Sequence, residues 1–171
     1  MNRTSWLRFL AIFTASSLFA GCPGDSNDVV ESNKRIVRRF IEEVVNTGDV
    51  DKLPAFISPD YVEVYRNTVH PIGLEGAKEH VLGVRRAFPD LHVTVEQQIG
   101  EGDWVVTRIT TRGTHIDEWL GTAPTGKPLE FTGVNIDKVI DGRIVEHGGA
   151  ANLFAPLLES GAIRVLGDDK E

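Results

Sequence analysis

Between Val29 and Val45 apolar residues return at spacings near four and seven: Val29, Val30, Ile36, Val37, Phe40, Ile41, Val44 and Val45. Lys34, Arg35, Arg38, Arg39, Glu42 and Glu43 fill the other side. That period belongs to a helix with one buried stripe and predicts about four to five turns. Asp28-Val29-Val30-Glu31 has the form of a capping box at its start, and Gly48 stops it. A short second helix is expected over 49–57, with Pro54 tolerated only near its first turn. Residues 61–66 then alternate as a strand, 70–73 read as a loop, and 75–88 return to the helical period with Ala77, Val81, Val84 and Phe88 on one stripe. Pro89 ends that helix. Beyond it the chain reads as strands over 91–99, 104–114, 129–140 and 143–147. Their breaks are Gly100-Glu101-Gly102-Asp103 and the two-residue hairpin signal Asp141-Gly142. A last helix is expected over 152–160, ended by Gly161. Helices and then antiparallel strands, without βαβ alternation, define an α+β class. A curved sheet closed by such helices encloses a hollow suited to a ligand.

The residues ahead of the first helix have a different pattern. Arg3 and Arg8 precede an apolar stretch from Leu10 to Ala20 that is too short and wrongly flanked for a membrane span. This is the layout of a secretory signal. Leu18-Phe19-Ala20-Gly21-Cys22 resembles the bacterial lipobox, with Phe19 where leucine is usual. The resemblance implies a lipoprotein-type signal over 1–22 and acylation of Cys22, which then anchors the chain to the membrane with more than one lipid. An ordinary cleaved signal with an incidental cysteine is the alternative. The expected organisation is signal 1–22, a short tether 23–28, one domain 29–165 and a polar tail 166–171. The expected location is the bacterial cell envelope, after export.

Charge and composition narrow the partners. The 171 residues carry a net charge of -7; without Arg3 and Arg8, 16 basic residues face 25 acidic ones, or -9. An acidic surface without a Lys/Arg run longer than two argues against nucleic acid as a partner. Cys22 is the only cysteine, which leaves no internal disulfide and no Cys/His spacing for zinc. The five histidines are scattered, so no metal site is expected. No Gly-x-Ser-x-Gly elbow, P-loop or dinucleotide fingerprint occurs.

From Lys34 to about Gly161 four stretches resemble the SnoaL-like polyketide cyclases, also called ester cyclase-like proteins, of the NTF2-like superfamily. They are Val37-Arg38-Arg39-Phe40-Ile41-Glu42-Glu43-Val44 with Asn46-Thr47-Gly48-Asp49; Gly73-Leu74-Glu75-Gly76 with Arg86-Ala87-Phe88-Pro89-Asp90-Leu91; Gly113-Thr114-His115 through Trp119, Gly121 and Pro124-Thr125-Gly126-Lys127; and Phe131-Thr132-Gly133 with Asp141-Gly142-Arg143-Ile144-Val145-Glu146-His147. The resemblance implies a cone-shaped barrel whose curved, mostly antiparallel sheet wraps on the N-terminal helices. It also implies aldol-type ring closure by a carboxylate on the penultimate strand, with neither metal nor cofactor. That position, aligned on Thr132-Gly133, is Asn135 here. An amide can polarise a carbonyl but cannot shuttle a proton. Two further departures are Val64, where histidine is frequent, and Gly148-Gly149, where Trp-Asp is common.

With Asp141-Gly142 as a two-residue turn, Asp137 falls opposite Glu146, Ile136 opposite His147 and Asn135 opposite Gly148. Asn135, Asp137 and Glu146 then share a face. The family orientation turns that face inward and makes Asp137 or Glu146 the general base, with Asn135 polarising a carbonyl. Periodicity alone would bury the more apolar opposite face, Val134, Ile136, Ile140 and Val145; left outside, that face suits a homodimer. His115 is a further acid/base candidate, the alternative being a loop histidine bonded to backbone. Tyr61, Tyr65, Trp119 and Arg108 are candidate substrate contacts, with packing or pairing of arginine to Glu96 as the structural alternatives. His70, His80 and His92 read as surface or loop residues. Two functions fit these residues: cyclisation or isomerisation of a small apolar carbonyl compound, or a binding module that kept the fold and lost the catalyst.

Overall fold

The structure, a computed structural model, describes residues 26–164. Cys22, with the expected signal over 1–22, and the expected polar tail over 166–171 lie outside the described residues. Helix α1 (Ser26–Phe40) starts ahead of the expected box, so Asp28 sits in its first turn, facing the positive end of the helix dipole, and Glu31 instead pairs with Lys34 at 2.7 Å. A wider final turn continues α1 over Ile41–Val45, where the amide of Asn46 donates to the carbonyl of Ile41 five residues back. Val37, Ile41 and Val44 form the buried stripe. After a 3₁₀ turn at Val50–Lys52 comes α2 (Leu53–Phe56), with Pro54 in its first turn.

Strand β1 (Ile57–Tyr65) begins earlier than the alternation suggested. Residues 68–71 are not loop but a short edge strand, β2 (Thr68–Pro71), joined to β1 by a tight turn in which Arg66 and Asn67 both take positive φ. Helix α3 (Gly73–Ala87) is followed by β3 (His92–Glu101), β4 (Trp104–Thr114), β5 (Pro128–Ile140), β6 (Arg143–Ala151) and α4 (Phe154–Ser160). The six strands form one sheet in the order β2-β1-β6-β5-β4-β3, antiparallel except where β1 lies parallel to β6. That crossover brings the first long strand beside the final hairpin. No helix among the described residues is long and apolar enough to cross a membrane.

Helices α1 and α3 cover one face of the sheet. Val105, Ile109, Leu129 and Val139 point into that core, together with Asp137. The opposite face of β5 leaves Val134, Ile136 and Ile140 about 40% exposed. The more polar face of β5 is therefore the inner one, the reverse of what hydrophobic periodicity alone would bury.

Candidate active site

A cavity of about 230 Å³ lies between the inner sheet face and helices α1 and α3. Its walls are mostly aliphatic, with Val37 and Ile41 from α1, Val81 and Val84 from α3 and Ile109 from β4. Trp119 closes one side, stacked on Phe131 at 5.6 Å and meeting Phe88 edge-on at 4.9 Å. The polar groups gather at one end. Glu63 on β1 is the register partner of His147 on β6, and His147 is the partner of Asp137 on β5. The three form one row across adjacent strands, flanked by Tyr61 and Asn135 and capped from α3 by His80.

This row exists because the hairpin is irregular. The turn at Asp141-Gly142 is as expected, with positive φ at both residues. Val139 pairs with Ile144, but Lys138 pairs with Glu146, so Val145 is an extra residue on β6. Such a bulge shifts the register by one and exchanges the two faces of the strand beyond it. Glu146 therefore lies opposite Lys138 rather than Asp137, on the other face, and His147 takes the inward place beside Asp137. Asn135 pairs with Gly149, not Gly148. A Cβ at Gly149 would collide with the Val134 carbonyl, which accounts for glycine at this place. We expect Glu146→Gln to leave turnover within about threefold, since an outward carboxylate touches no reacting atom; a loss of two orders in a steady-state assay would contradict the placement.

The row is hydrogen-bonded. Nδ1 of His147 lies 2.8 Å from Oδ1 of Asp137, and Nδ1 of His80 lies 2.6 Å from Oε1 of Glu63. An ionised carboxylate only accepts, so each imidazole donates from Nδ1. The Tyr61 hydroxyl donates to the same Glu63 oxygen at 3.4 Å. Burial disfavours the charged form of His147, but the hydrogen bond and charge of Asp137, with the charge of Glu63, outweigh it and raise its pKa above the ordinary imidazole value. Burial would likewise push Glu63 up; His80, through hydrogen bond and charge, helped by His147, holds it below the usual carboxylate range. The Tyr61 phenol is pushed well up by burial and by the neighbouring carboxylates, so it is a donor at neutral pH.

Of the residues singled out from sequence, Tyr61, Trp119, Asn135 and Asp137 line the cavity. Tyr65 does not: it is 61% exposed at the end of β1. Arg108 points outward into a shallow groove with Val134 and Ala150. Its neighbour Arg112 pairs with Glu130 at 2.7 Å, and Glu96 accepts instead from Thr110. His115 is neither in the cavity lining nor bonded through its ring to backbone. It is fully buried, stacked on Phe88 at 5.2 Å, with neither ring nitrogen hydrogen-bonded. Since an unpaired buried polar group costs about 1–3 kcal/mol, His115→Leu should hold or raise stability by about 1 kcal/mol in urea titrations, with turnover unchanged.

Glu63, His80 and His147 escaped the sequence reading. Glu63 lies two residues from Tyr61, hence on the same strand face, and His80 lies three residues after Ala77, at the edge of the buried stripe of α3. Both were legible from period. His147 was not, because Ile144 and Val145 are both apolar and mark no phase. Among the described residues no group of three or more His, Cys, Asp or Glu side chains is placed to hold a metal ion.

The fold agrees with comparisons to known proteins. The SnoaL-like polyketide cyclase family profile matches residues 35–159, and the chain belongs to that family. An aklanonic acid methyl ester cyclase from Streptomyces galilaeus is 31% identical over 115 residues, covering 65% of this chain and 78% of its own. Among solved structures, IdmH of Streptomyces antibioticus, assigned as a polyketide cyclase, is 31% identical with a TM-score of 0.64, covering 77% of this chain and 99% of its own. AclR of Streptomyces galilaeus, assigned as a hydroxylase, is 27% identical with a TM-score of 0.68 over 79% of this chain and 99% of its own. One scaffold thus carries relatives assigned to different reactions, and the chemistry has to be argued from the site.

Proposed function

We propose that this chain catalyses cofactor-free proton transfer on a small apolar carbonyl compound, closing a ring by an aldol-type step or isomerising the compound. The reading rests on the Glu63–His147–Asp137 row at the polar end of an otherwise apolar cavity. In its neutral form His147 donates Nδ1–H to Asp137, which fixes the tautomer and leaves the Nε2 lone pair as the base. That base removes a proton from the carbon next to the substrate carbonyl, while the Asn135 amide donates to the developing enolate oxygen. For ring closure the enolate carbon bonds to a second carbonyl carbon, and the resulting alkoxide takes the proton back from His147. For isomerisation the proton returns to a different carbon. Either way the enzyme ends as it began. The imidazolium formed in between is stabilised by Asp137 and Glu63, so His147 fills the role that a carboxylate at position 135 would have.

The signal at 1–22 and Cys22 support export and a lipid anchor at the cell envelope, where Cys22→Ser should abolish acylation. The outward apolar strip of β5 supports a homodimer. A second reading, a carrier that binds without turnover, draws on Asn135 standing where the resemblance implies a carboxylate. The two separate on exchange of the α-protons of 1-tetralone in D2O, followed by NMR. Exchange about 100-fold above buffer supports the catalyst; a ketone that binds without exchanging supports the carrier.

A further inference from the structure

We propose that His80 is a positioning residue of this site, acting on His147 through Glu63. The inference rests on the acid/base reading above. It starts from the phase of α3: the turns that bury Ala77 and Val81 also bring His80 over the inner face of β1. There its Nδ1 meets Oε1 of Glu63 at 2.6 Å, although the imidazole itself is half exposed. Glu63 is the in-register neighbour of His147. The charge that His147 meets on its β1 side is therefore set by a group that reaches bulk water from a different element.

The surroundings of Glu63 leave few other groups able to hold it ionised. Its own strand offers the Tyr61 hydroxyl at a longer 3.4 Å. On β2 its register partner is His70, exposed on the edge strand. On β6 stands His147, and on β5 Asp137, itself bonded to His147. Among the described residues no lysine or arginine lines the cavity. A half-buried carboxylate deprived of its nearest donor takes up a proton at higher pH. Glu63 would then be neutral where it now faces His147, and the row would lose one of the two charges that favour the imidazolium. His80 thus ties the site's charge to the position of α3. It need touch no substrate to do so.

The test is an NMR titration of the full chain with labelled glutamate and histidine side chains, comparing wild type with His80→Leu, His80→Gln and His70→Leu. We expect the Glu63 carboxyl midpoint, and the matching inflection in the His147 ring signals, to move to higher pH in His80→Leu and less far in His80→Gln, whose amide still donates. His70→Leu should leave both where they are. Unmoved Glu63 and His147 titrations in a folded His80→Leu protein would overturn the proposal, as would equal shifts in His70→Leu. Shifts confined to the His80 variants, with no tetralone exchange by the wild type, would uphold His80's hold on the row and overturn only the catalytic reading.

Discussion

Replacing His147 with glutamine should lower tetralone proton exchange by about 10²–10⁴-fold, the usual worth of a positioned general base, while binding of the ketone changes little. The substitution keeps a side-chain amide near Asp137 and removes only the titrating lone pair. Asp137→Asn should cost as much, up to about 10⁴-fold, because the Asn amide can turn an N–H toward Nδ1 and hold the imidazole in the wrong tautomer, besides removing the charge that stabilises the imidazolium. Circular dichroism would confirm that both variants fold. Exchange at the wild-type rate in His147→Gln would remove the base from the mechanism, whatever the fold.

The same row sets the pH dependence. His147 has its folded pKa raised, so its contribution to stability is complete below its unfolded value and is lost as pH rises through the folded one. Glu63 has its folded pKa lowered, so its contribution is present above its unfolded value and lost as pH falls through the folded one. Stability gained from the row is therefore greatest between the two. Under the proposed mechanism turnover needs His147 neutral, so it should climb as pH rises through the raised histidine pKa, just where that histidine's stabilisation fades. The site is best folded with its base protonated and most active with its base free.

How far this was readable from the chain depends on which physical cue each element leaves. Strand β4 was legible over its whole length because Trp104 comes after a glycine-rich break and Gly113 precedes a loop. The final turn was legible because two adjacent residues with positive φ favour Asp-Gly. The register beyond that turn was not, since a bulge inside an apolar pair leaves the alternation outwardly intact. The orientation of β5 ran against its own polarity, because its inner face lines a cavity and not a solid core. A strand that turns Asn135 and Asp137 toward a cavity and Val134, Ile136 and Ile140 outward inverts the pattern that burial normally writes. Only the family resemblance pointed the right way there. His115 shows the opposite failure: a histidine in a loop reads as chemistry, yet it packs as one more ring against Phe88, with Trp119 further off.

Arg85→Met should be strongly destabilising, at about 3–5 kcal/mol. The guanidinium carries no partner carboxylate in its hydrogen bonds. Nη1 donates to the carbonyls of Val45 and Asn46, both at 3.1 Å, and of Leu91 at 3.3 Å, and Nη2 donates to Pro89 at 2.8 Å. The first two close the end of α1, where the carbonyls have no next helical turn to bond; the others hold the segment that leaves α3. One cation thus joins the ends of the two helices that wall the cavity, at the negative end of the α1 dipole. Gly48 leaves room for its stem: a Cβ there would lie 2.8 Å from Cδ and Nε of Arg85. Methionine keeps the stem and removes all four donations. Lysine should recover only part of the loss, because a point charge on a flexible stem cannot fork to four carbonyls. For a domain of this size the melting temperature of Arg85→Met should fall by about 10 °C in a thermal scan. Because the anchored ends belong to α1 and α3, ketone binding should weaken along with stability, even though Arg85 touches nothing inside the cavity. A melting temperature within about 2 °C of wild type would show that water replaces the guanidinium without penalty, and the helices would then be held by their apolar stripes alone.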